Sequence, residues 1–303
     1  MNPEVTASGS SDPAESLEDA LRRATALLSD AGVPSPGVDA HLLAAHLLGE
    51  AVGRVKTLSL VGAAAPEGYF DLVAERCRRV PLQHITGTAY FRRVELAVGP
   101  GAFIPRPETE SVAQLAIDHA LTVTRPRVVD LGTGSGAIAA ALADEVPGAE
   151  VYAVEFSPLA YAWAERNLAS RGVTLILGDL RDALGEDDGT FDVVVSNPPY
   201  IPAAAVPREP EVADHDPRIA LYGGGEDGLE LPAAAALSAA RLLVPGGYFV
   251  MEHAEVQAPA IAALLTSDPR WSAVLTHQDL TGRDRSTSAV RTQCANPGAP
   301  VKE

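Results

Sequence analysis

The sequence predicts an α/β protein: a parallel sheet covered by helices on both sides, carried behind a small helical domain and a short β linker. Two observations predict it. From residue 127 onward, the apolar runs RVVDL, EVYAVE, VTLILGD, FDVVVSN and GGYFVMEH are bounded by turn residues and alternate with helical stretches beginning near Ser135, Pro158 and Gly228, the grammar of βαβ units. Ahead of them, residues 15–80 carry apolar positions at helical spacing rather than in alternation.

Taken in order, residues 1–14 are small and polar and read as a disordered tail. From Ser16, Leu17, Ala20, Leu21, Ala24, Leu27 and Leu28 recur at the period of an amphipathic helix that stops near Gly32-Val33-Pro34. Val38 to Leu48 repeats the pattern with Gly49 as its C-cap, and a third segment near 67–80 carries Tyr69, Phe70, Leu72, Val73 and Cys77. His41 and His46 stand five residues apart, do not share a helix face, and read as surface or boundary residues. This helical domain is drawn over 15–85. Residues 88–98, TAYFRRVELAV, alternate, and VGPGAFIPRPE then supplies Gly and Pro punctuation, so a hairpin linker is drawn over 86–108. A helix at 109–121 opens the larger domain, 109–293, which WSAVLTHQDLTGRDRSTSAVRTQ closes as an antiparallel strand pair; 294–303 is a tail.

Composition narrows the function classes. With 303 residues and 47% hydrophobic content there is material for a large core. The 23 Lys and Arg against 40 Asp and Glu give a net charge of −17, which repels duplex nucleic acid and anionic membrane surfaces. Arg76, Arg78, Arg79, Arg92, Arg93 and Arg106 are grouped in the sequence and read as a solvated helix and hairpin face, with a local basic patch as the alternative. Cys77 and Cys294 are far apart and without metal-ligand spacing, and scattered acids form no coordination pattern, so neither a disulfide nor a metal site is expected. The acidic, polar start does not resemble a signal peptide, and no apolar run is long enough to span a bilayer, which makes the cytoplasm the expected compartment.

The first strand of the sheet runs into VVDLGTGSGAIAAALA, residues 128–143. Gly132, Gly134 and Gly136 let the backbone pass tightly beneath a ligand, with Thr133 and Ser135 between them, and the helix that follows aims its N–H groups at the same place, so a nucleotide-like cofactor is expected there. The Gly-x-Gly-x-Gly spacing after Asp130 departs from the dinucleotide fingerprint. The next strand ends at Glu155, whose carboxylate can accept both hydroxyl hydrogens of a ribose. The third ends in LGDL, where Asp179 is either an acceptor for an adenine amino group or an ordinary turn aspartate.

The fourth strand, FDVVVS, is stopped by Asn197-Pro198-Pro199-Tyr200. Both residues that precede a proline are pushed toward extended geometry, and the two prolines have fixed φ and no N–H, which leaves a stiff row of carbonyl acceptors without competing donors. A planar NH2 has two hydrogens to give. The Asn197 side-chain oxygen and a prolyl carbonyl can take one each while the Tyr200 ring flanks the group. Holding the nitrogen by its hydrogens aims its remaining electron density at whatever electrophile the glycine loop presents.

DLGTGSG with Glu155 and Asp179 resembles the S-adenosylmethionine site of the seven-stranded, Rossmann-like methyltransferases, and NPPY resembles the motif of those that methylate planar amino groups, adenine N6 or glutamine N5. FIPRPETE (103–110), PLQHITGTAYF, the helical amino-terminal domain and HDPRIALYGGGEDGLE (215–230) extend the similarity to the peptide chain release factor glutamine methyltransferases over roughly 16–293. The resemblance implies S-adenosylmethionine as cofactor and, as substrate, the glutamine of the Gly-Gly-Gln loop of bacterial release factors. It assigns Gly132 to Gly136, Glu155, Leu180 and Asn197 to the cofactor, and Asn197 to Tyr200 to the glutamine. Many members of that family have Asp where Glu155 stands and an aromatic residue where Leu180 stands. It also places Phe103 and Arg106, with Glu108 and Glu110, beside the active site; the alternative is that Arg106 and the glutamates brace the following helix. Other readings are a glutamine methyltransferase of a ribosomal protein, a nucleic-acid adenine methyltransferase, which the net charge disfavours, and a cofactor-binding module without catalysis.

Overall fold

The computed structural model describes residues 15–293; the expected tails at 1–14 and 294–303, and Cys294 with them, lie outside the described residues. The chain divides into two compact units between Thr86 and Gly87.

The first unit is helical: α1 (Leu17–Asp30), α2 (Pro36–Leu48), α3 (Val52–Leu60), α4 (Tyr69–Cys77) and α5 (Leu82–Thr86). Ser16 caps α1 by accepting the Asp19 N–H, and the stripe Leu17, Ala20, Leu21, Ala24 and Leu28 is buried against Leu43, Ala44, Val55 and Val73. Gly49 ends α2 at φ 63°, the left-handed cap its position called for. Polar ties are specific even in this core: the Tyr69 hydroxyl donates to the Ala40 carbonyl at 2.9 Å, and Arg76 Nε donates to Asp39 at 2.7 Å. Arg76 is therefore not part of a solvated face or a basic patch. It is 5% exposed, because desolvating its guanidinium is offset by a carboxylate held beside it.

The second unit begins with the hairpin β1 (Thr88–Phe91) and β2 (Val94–Ala97), paired antiparallel, followed by α6 (Thr109–Ala120). Then come β3 (Arg127–Leu131), α7 (Ala137–Glu145), β4 (Glu150–Glu155), α8 (Pro158–Leu168), β5 (Thr174–Leu177) and β6 (Phe191–Ser196). Two short helices, α9 (Pro210–His215) and α10 (Arg218–Leu221), precede α11 (Glu230–Leu242), β7 (Leu243–Glu252), α12 (Ala258–Ser267), β8 (Trp271–Gln278) and β9 (Asp284–Arg291). Seven strands form one sheet in the order β5-β4-β3-β6-β7-β9-β8; the first five are parallel and β9 runs antiparallel to both its neighbours.

Alternation along the central strands sends side chains to two cores. Val128, Val193, Val195 and Val250 pack beneath α6 and α7, whereas Val129, Leu131, Val194, Phe249 and Met251 pack against α11 and α12. Each such fully buried side chain is worth about 1.5–3 kcal/mol of transfer free energy, so the strands cannot slip by one residue without exchanging the two faces. The hairpin is tied to this body by polar forks. Arg92 Nε and Nη2 donate to the two oxygens of Glu145 on α7 at 2.6 and 2.8 Å. Asn167 on α8 exchanges hydrogen bonds with the backbone of Ala97 and also donates to the Ser135 carbonyl at 2.8 Å. Arg92 is thus also removed from the expected solvated face, while Arg93 remains exposed.

Candidate active site

In an open α/β sheet, ligands bind beyond the carboxyl ends of the strands where the strand order reverses, here beside β3. Four successive strands deliver their terminal residues to that edge: the 132–136 loop after β3, Glu155 at the end of β4, Asp179 and Leu180 after β5, and Asn197 to Tyr200 after β6. They surround a cavity of about 490 Å3. Gly132, Thr133, Gly134, Ser135, Glu155, Asp179, Leu180, Asn197, Pro198, Pro199 and Tyr200 all line it, as do Phe103 and Arg106. Gly136 does not; it is the N-cap of α7 at φ 86°, packed against Leu168 of α8.

The glycine loop is braced from below. The Gly132 and Thr133 N–H groups donate to the Val154 carbonyl, both at 2.9 Å, and the Thr133 hydroxyl donates to Asp130 Oδ2 at 2.6 Å. Asp130 is fully buried, and desolvation pushes its carboxyl up to about 7 despite the hydrogen bonds from Thr133 and Ala139. Glu155 holds the loop from the side: Oε2 accepts the Gly134 N–H at 2.8 Å and Oε1 accepts the Ser157 N–H at 2.7 Å. Burial raises its pKa and these N–H groups oppose the rise. Each oxygen retains a lone pair for a diol. A Cβ on Gly132 or Gly134 would meet no atom within 4 Å, so both glycines border open space that a side chain would fill. Asp179 is more committed than its turn position suggests, since Arg181 Nε donates to it at 2.9 Å and its N–H at 3.0 Å; that pairing lowers its pKa.

Opposite the loop, the NPPY segment is held from behind. Tyr200 donates its hydroxyl to Glu252 Oε1 at 3.2 Å, and its carbonyl accepts from Gln257 Nε2 at 2.8 Å, whose other hydrogen goes to the Asp227 carbonyl at 2.9 Å. The loop 223–228 packs directly on it: a Cβ on Gly228, which has φ 77°, would lie 2.2 Å from the Tyr200 carbonyl oxygen, and one on Gly223 2.6 Å from that of Pro199. Glycine is required at both places by close backbone approach. Among the described residues no donor reaches Asn197 Oδ1 or the Pro198 carbonyl, whereas Asn197 Nδ2 donates to Thr109 Oγ1 at 3.3 Å. The two acceptors remain available to a ligand in the cavity.

The FIPRPETE segment forms the third wall. Arg106 Nη2 donates to Asp216 Oδ2 at 2.8 Å, bringing the 207–219 segment over the cavity. Desolvation pushes the Asp216 carboxyl up to about 6, and Arg106 opposes the rise. Glu110 accepts the Arg92 N–H at 3.0 Å, and Glu108 stands at the N-cap position of α6 without a side-chain hydrogen bond to the helix.

Thr109, Glu252 and Gln257 were not singled out from the sequence. Glu252 did leave a signal, a carboxylate ending the apolar run GGYFVME at the same sheet edge as Glu155 and Asn197. Gln257 left none.

Two family descriptions match the chain: the PrmC N-terminal domain over residues 19–87 and the methyltransferase small domain over residues 100–209. A release factor glutamine methyltransferase of Streptomyces coelicolor is 49% identical over 89% of this chain and 96% of its own length, and one of Mycolicibacterium smegmatis is 45% identical over 91% and 98%. A Streptomyces pristinaespiralis protein named 4-amino-L-phenylalanine/4-methylamino-L-phenylalanine methyltransferase is 40% identical over 94% and 98%.

Proposed function

We propose, from the premise that the chain belongs to the release factor glutamine methyltransferase family, that it methylates the side-chain amide nitrogen of the glutamine in the Gly-Gly-Gln loop of bacterial peptide chain release factors. The observation that carries this reading is an acceptor pair, Asn197 Oδ1 and the Pro198 carbonyl, that no donor among the described residues reaches, on a cavity-lining segment whose two prolines have no N–H. A primary amide offers the two hydrogens that the pair accepts.

The opposite wall fits S-adenosylmethionine: open space beside Gly132 and Gly134, a buried carboxylate at Glu155 with a free lone pair on each oxygen, and the aliphatic side chain of Leu180. Bound there, S-adenosylmethionine supplies the electrophilic methyl group. Gly132 to Ser135 and Glu155 would hold it, and Leu180 would pack on its adenine; Asp179, tied to Arg181, would contribute a remaining lone pair at most. An amide nitrogen is a poor nucleophile because its lone pair is delocalised. Asn197 and Pro198 therefore act by orientation and by stabilising the positive charge that develops on the nitrogen, in a cavity that Tyr200, Phe103 and Pro199 also line. Arg106 acts on the substrate side through the 207–219 segment that it fixes.

The helical unit, drawn over 15–85, recognises the release factor in this reading, and 109–293 carries the chemistry. The net charge of −17 argues against a duplex nucleic acid partner. Among the described residues no helix is long and apolar enough to cross a membrane.

The Streptomyces pristinaespiralis relative favours a second reading, since an aromatic amine also presents a planar NH2 to an acceptor pair. Labelled S-adenosylmethionine supplied with either release factor or 4-amino-L-phenylalanine separates the two. Turnover on the release factor alone supports the first reading, and turnover on the amino acid alone replaces it with the second.

A further inference from the structure

The NPPY segment ends at a carbonyl that one buried side chain claims. Gln257, 6% exposed, lies on the single turn Glu255–Gln257 between β7 and α12. Its Nε2 donates to the Tyr200 carbonyl at 2.8 Å and to the Asp227 carbonyl at 2.9 Å, and its Oε1 accepts the Ala254 N–H at 3.1 Å. The three contacts decide which way round the amide sits: flipped, its oxygen would face two carbonyl oxygens and its NH2 would face an N–H. They also give a reason for an amide at this position. The 223–228 loop lies so close to NPPY that the Tyr200 and Asp227 carbonyls come within reach of one nitrogen, and two such oxygens repel unless a group with two hydrogens stands between them. Among the described residues no other donor reaches either oxygen.

What is fixed at Tyr200 is felt at the acceptor pair. Pro198 and Pro199 have locked φ. Ile201 is held in turn, its N–H donating to the Leu221 carbonyl at 2.8 Å and its carbonyl accepting the Gly223 N–H at 3.0 Å. Few soft torsions therefore separate the Tyr200 carbonyl from the Pro198 carbonyl and Asn197. We propose that Gln257 is a positioning residue for NPPY: by holding the Tyr200 carbonyl beside the Asp227 carbonyl, it sets the direction in which Asn197 Oδ1 and the Pro198 carbonyl are presented to the substrate nitrogen. This rests on the reading of the site given above. Gln257 does not line the cavity and acts through Tyr200, which does.

The test compares Gln257→Glu, nearly isosteric but without a second hydrogen to give, and Gln257→Met, of similar length and with none, both in the full chain. Steady-state transfer to release factor shows kcat lowered by about 10- to 100-fold, the range of one misdirected hydrogen bond. KM for release factor and S-adenosylhomocysteine affinity stay within about threefold of the unsubstituted protein. A second readout does not depend on turnover: amide hydrogen exchange at Ile201 and Gly223 quickens in both variants by a larger factor than in β3 and β4. A kcat within about threefold of the unsubstituted value in either folded variant overturns the proposal. So does exchange that quickens by the same factor at Ile201, in β3 and in β4, the sign of a residue that supports global stability alone. Failure of the functional reading shows differently: the unsubstituted protein transfers no methyl group to release factor, while exchange at Ile201 and Gly223 still responds to both substitutions.

Discussion

Replacing Asn197 by Ala removes one of the two acceptors proposed for the substrate nitrogen together with the donor to Thr109. The cost to the fold is small. The lost contact is a single neutral hydrogen bond of 3.3 Å at a half-buried residue, worth about 0.5–1.5 kcal/mol, and the two prolines keep the segment extended without it. The cost to the reaction is larger, because charge builds on the nitrogen only in the transition state. Removing one oriented electrostatic partner of that kind costs about 2–4 kcal/mol, or roughly 30- to 1000-fold in kcat. The assay is steady-state transfer to release factor, with S-adenosylhomocysteine affinity measured by calorimetry as the control on the cofactor wall. The expected result is a fall in kcat within that range and cofactor affinity close to that of the unsubstituted protein. A kcat within about threefold of the unsubstituted value refutes the acceptor role, and a parallel loss of cofactor affinity refutes the separation of the two walls.

Three further outcomes follow from the geometry. Glu155→Ala removes the carboxylate that holds the Gly134 and Ser157 N–H groups and is proposed for the ribose; S-adenosylhomocysteine affinity falls at least about 10-fold by calorimetry, with secondary structure retained by circular dichroism. Gly228→Ala combines a positive φ with a Cβ 2.2 Å from the Tyr200 carbonyl, so urea unfolding shows a loss of about 1–3 kcal/mol and activity falls with it. Asp130 and Glu252 each carry a folded-state pKa raised by burial to about 7, against ordinary values of 3.8 and 4.5. The folded state therefore binds their protons more tightly, and their contribution to stability is fully present below the ordinary values and is lost as pH rises through about 7. The urea midpoint accordingly declines between those limits, and Asp130→Asn flattens the decline.

The larger domain was legible because its physics is local. Each buried parallel strand is an apolar run closed by turn residues, and RVVDL, EVYAVE and FDVVVS became β3, β4 and β6 at the same residues. The hairpin and the α6 and α8 starts were legible for the same reason. Helices α3 and α12 were not: VGRVKTLSL buries only Val55, and APAIAALLTS is apolar on nearly every side, so neither shows a clear period. The final strand pair could be read from its turn, but not that β9 rather than β8 would pair with β7. That choice follows from side-chain burial, since the centre of β9 is buried and β8 is largely exposed.

The candidate site divides in the same way. The residues that line the cavity lie next to one another in short motifs and follow from the spacing of strand ends. The residues that hold them do not. Thr109 meets Asn197 across 88 positions, and Tyr200 meets Glu252 across 52; no local pattern encodes such pairs. The grouped arginines show the opposite error, because sequence proximity suggested one face, whereas Arg76, Arg92 and Arg106 are each bound to a different carboxylate: Asp39, Glu145 and Asp216. The glycines of 223–228, carried in the sequence only by resemblance, gain a physical reason in the backbone of NPPY lying against them.

The central claim, that this acceptor pair selects a glutamine amide, is tested most directly by tandem mass spectrometry of release factor after incubation with the protein and S-adenosylmethionine. The account predicts one added methyl group, located on the side-chain nitrogen of the Gly-Gly-Gln glutamine, and none on release factor in which that glutamine is alanine. Methylation of the alanine form at any residue, or none of either form, contradicts it.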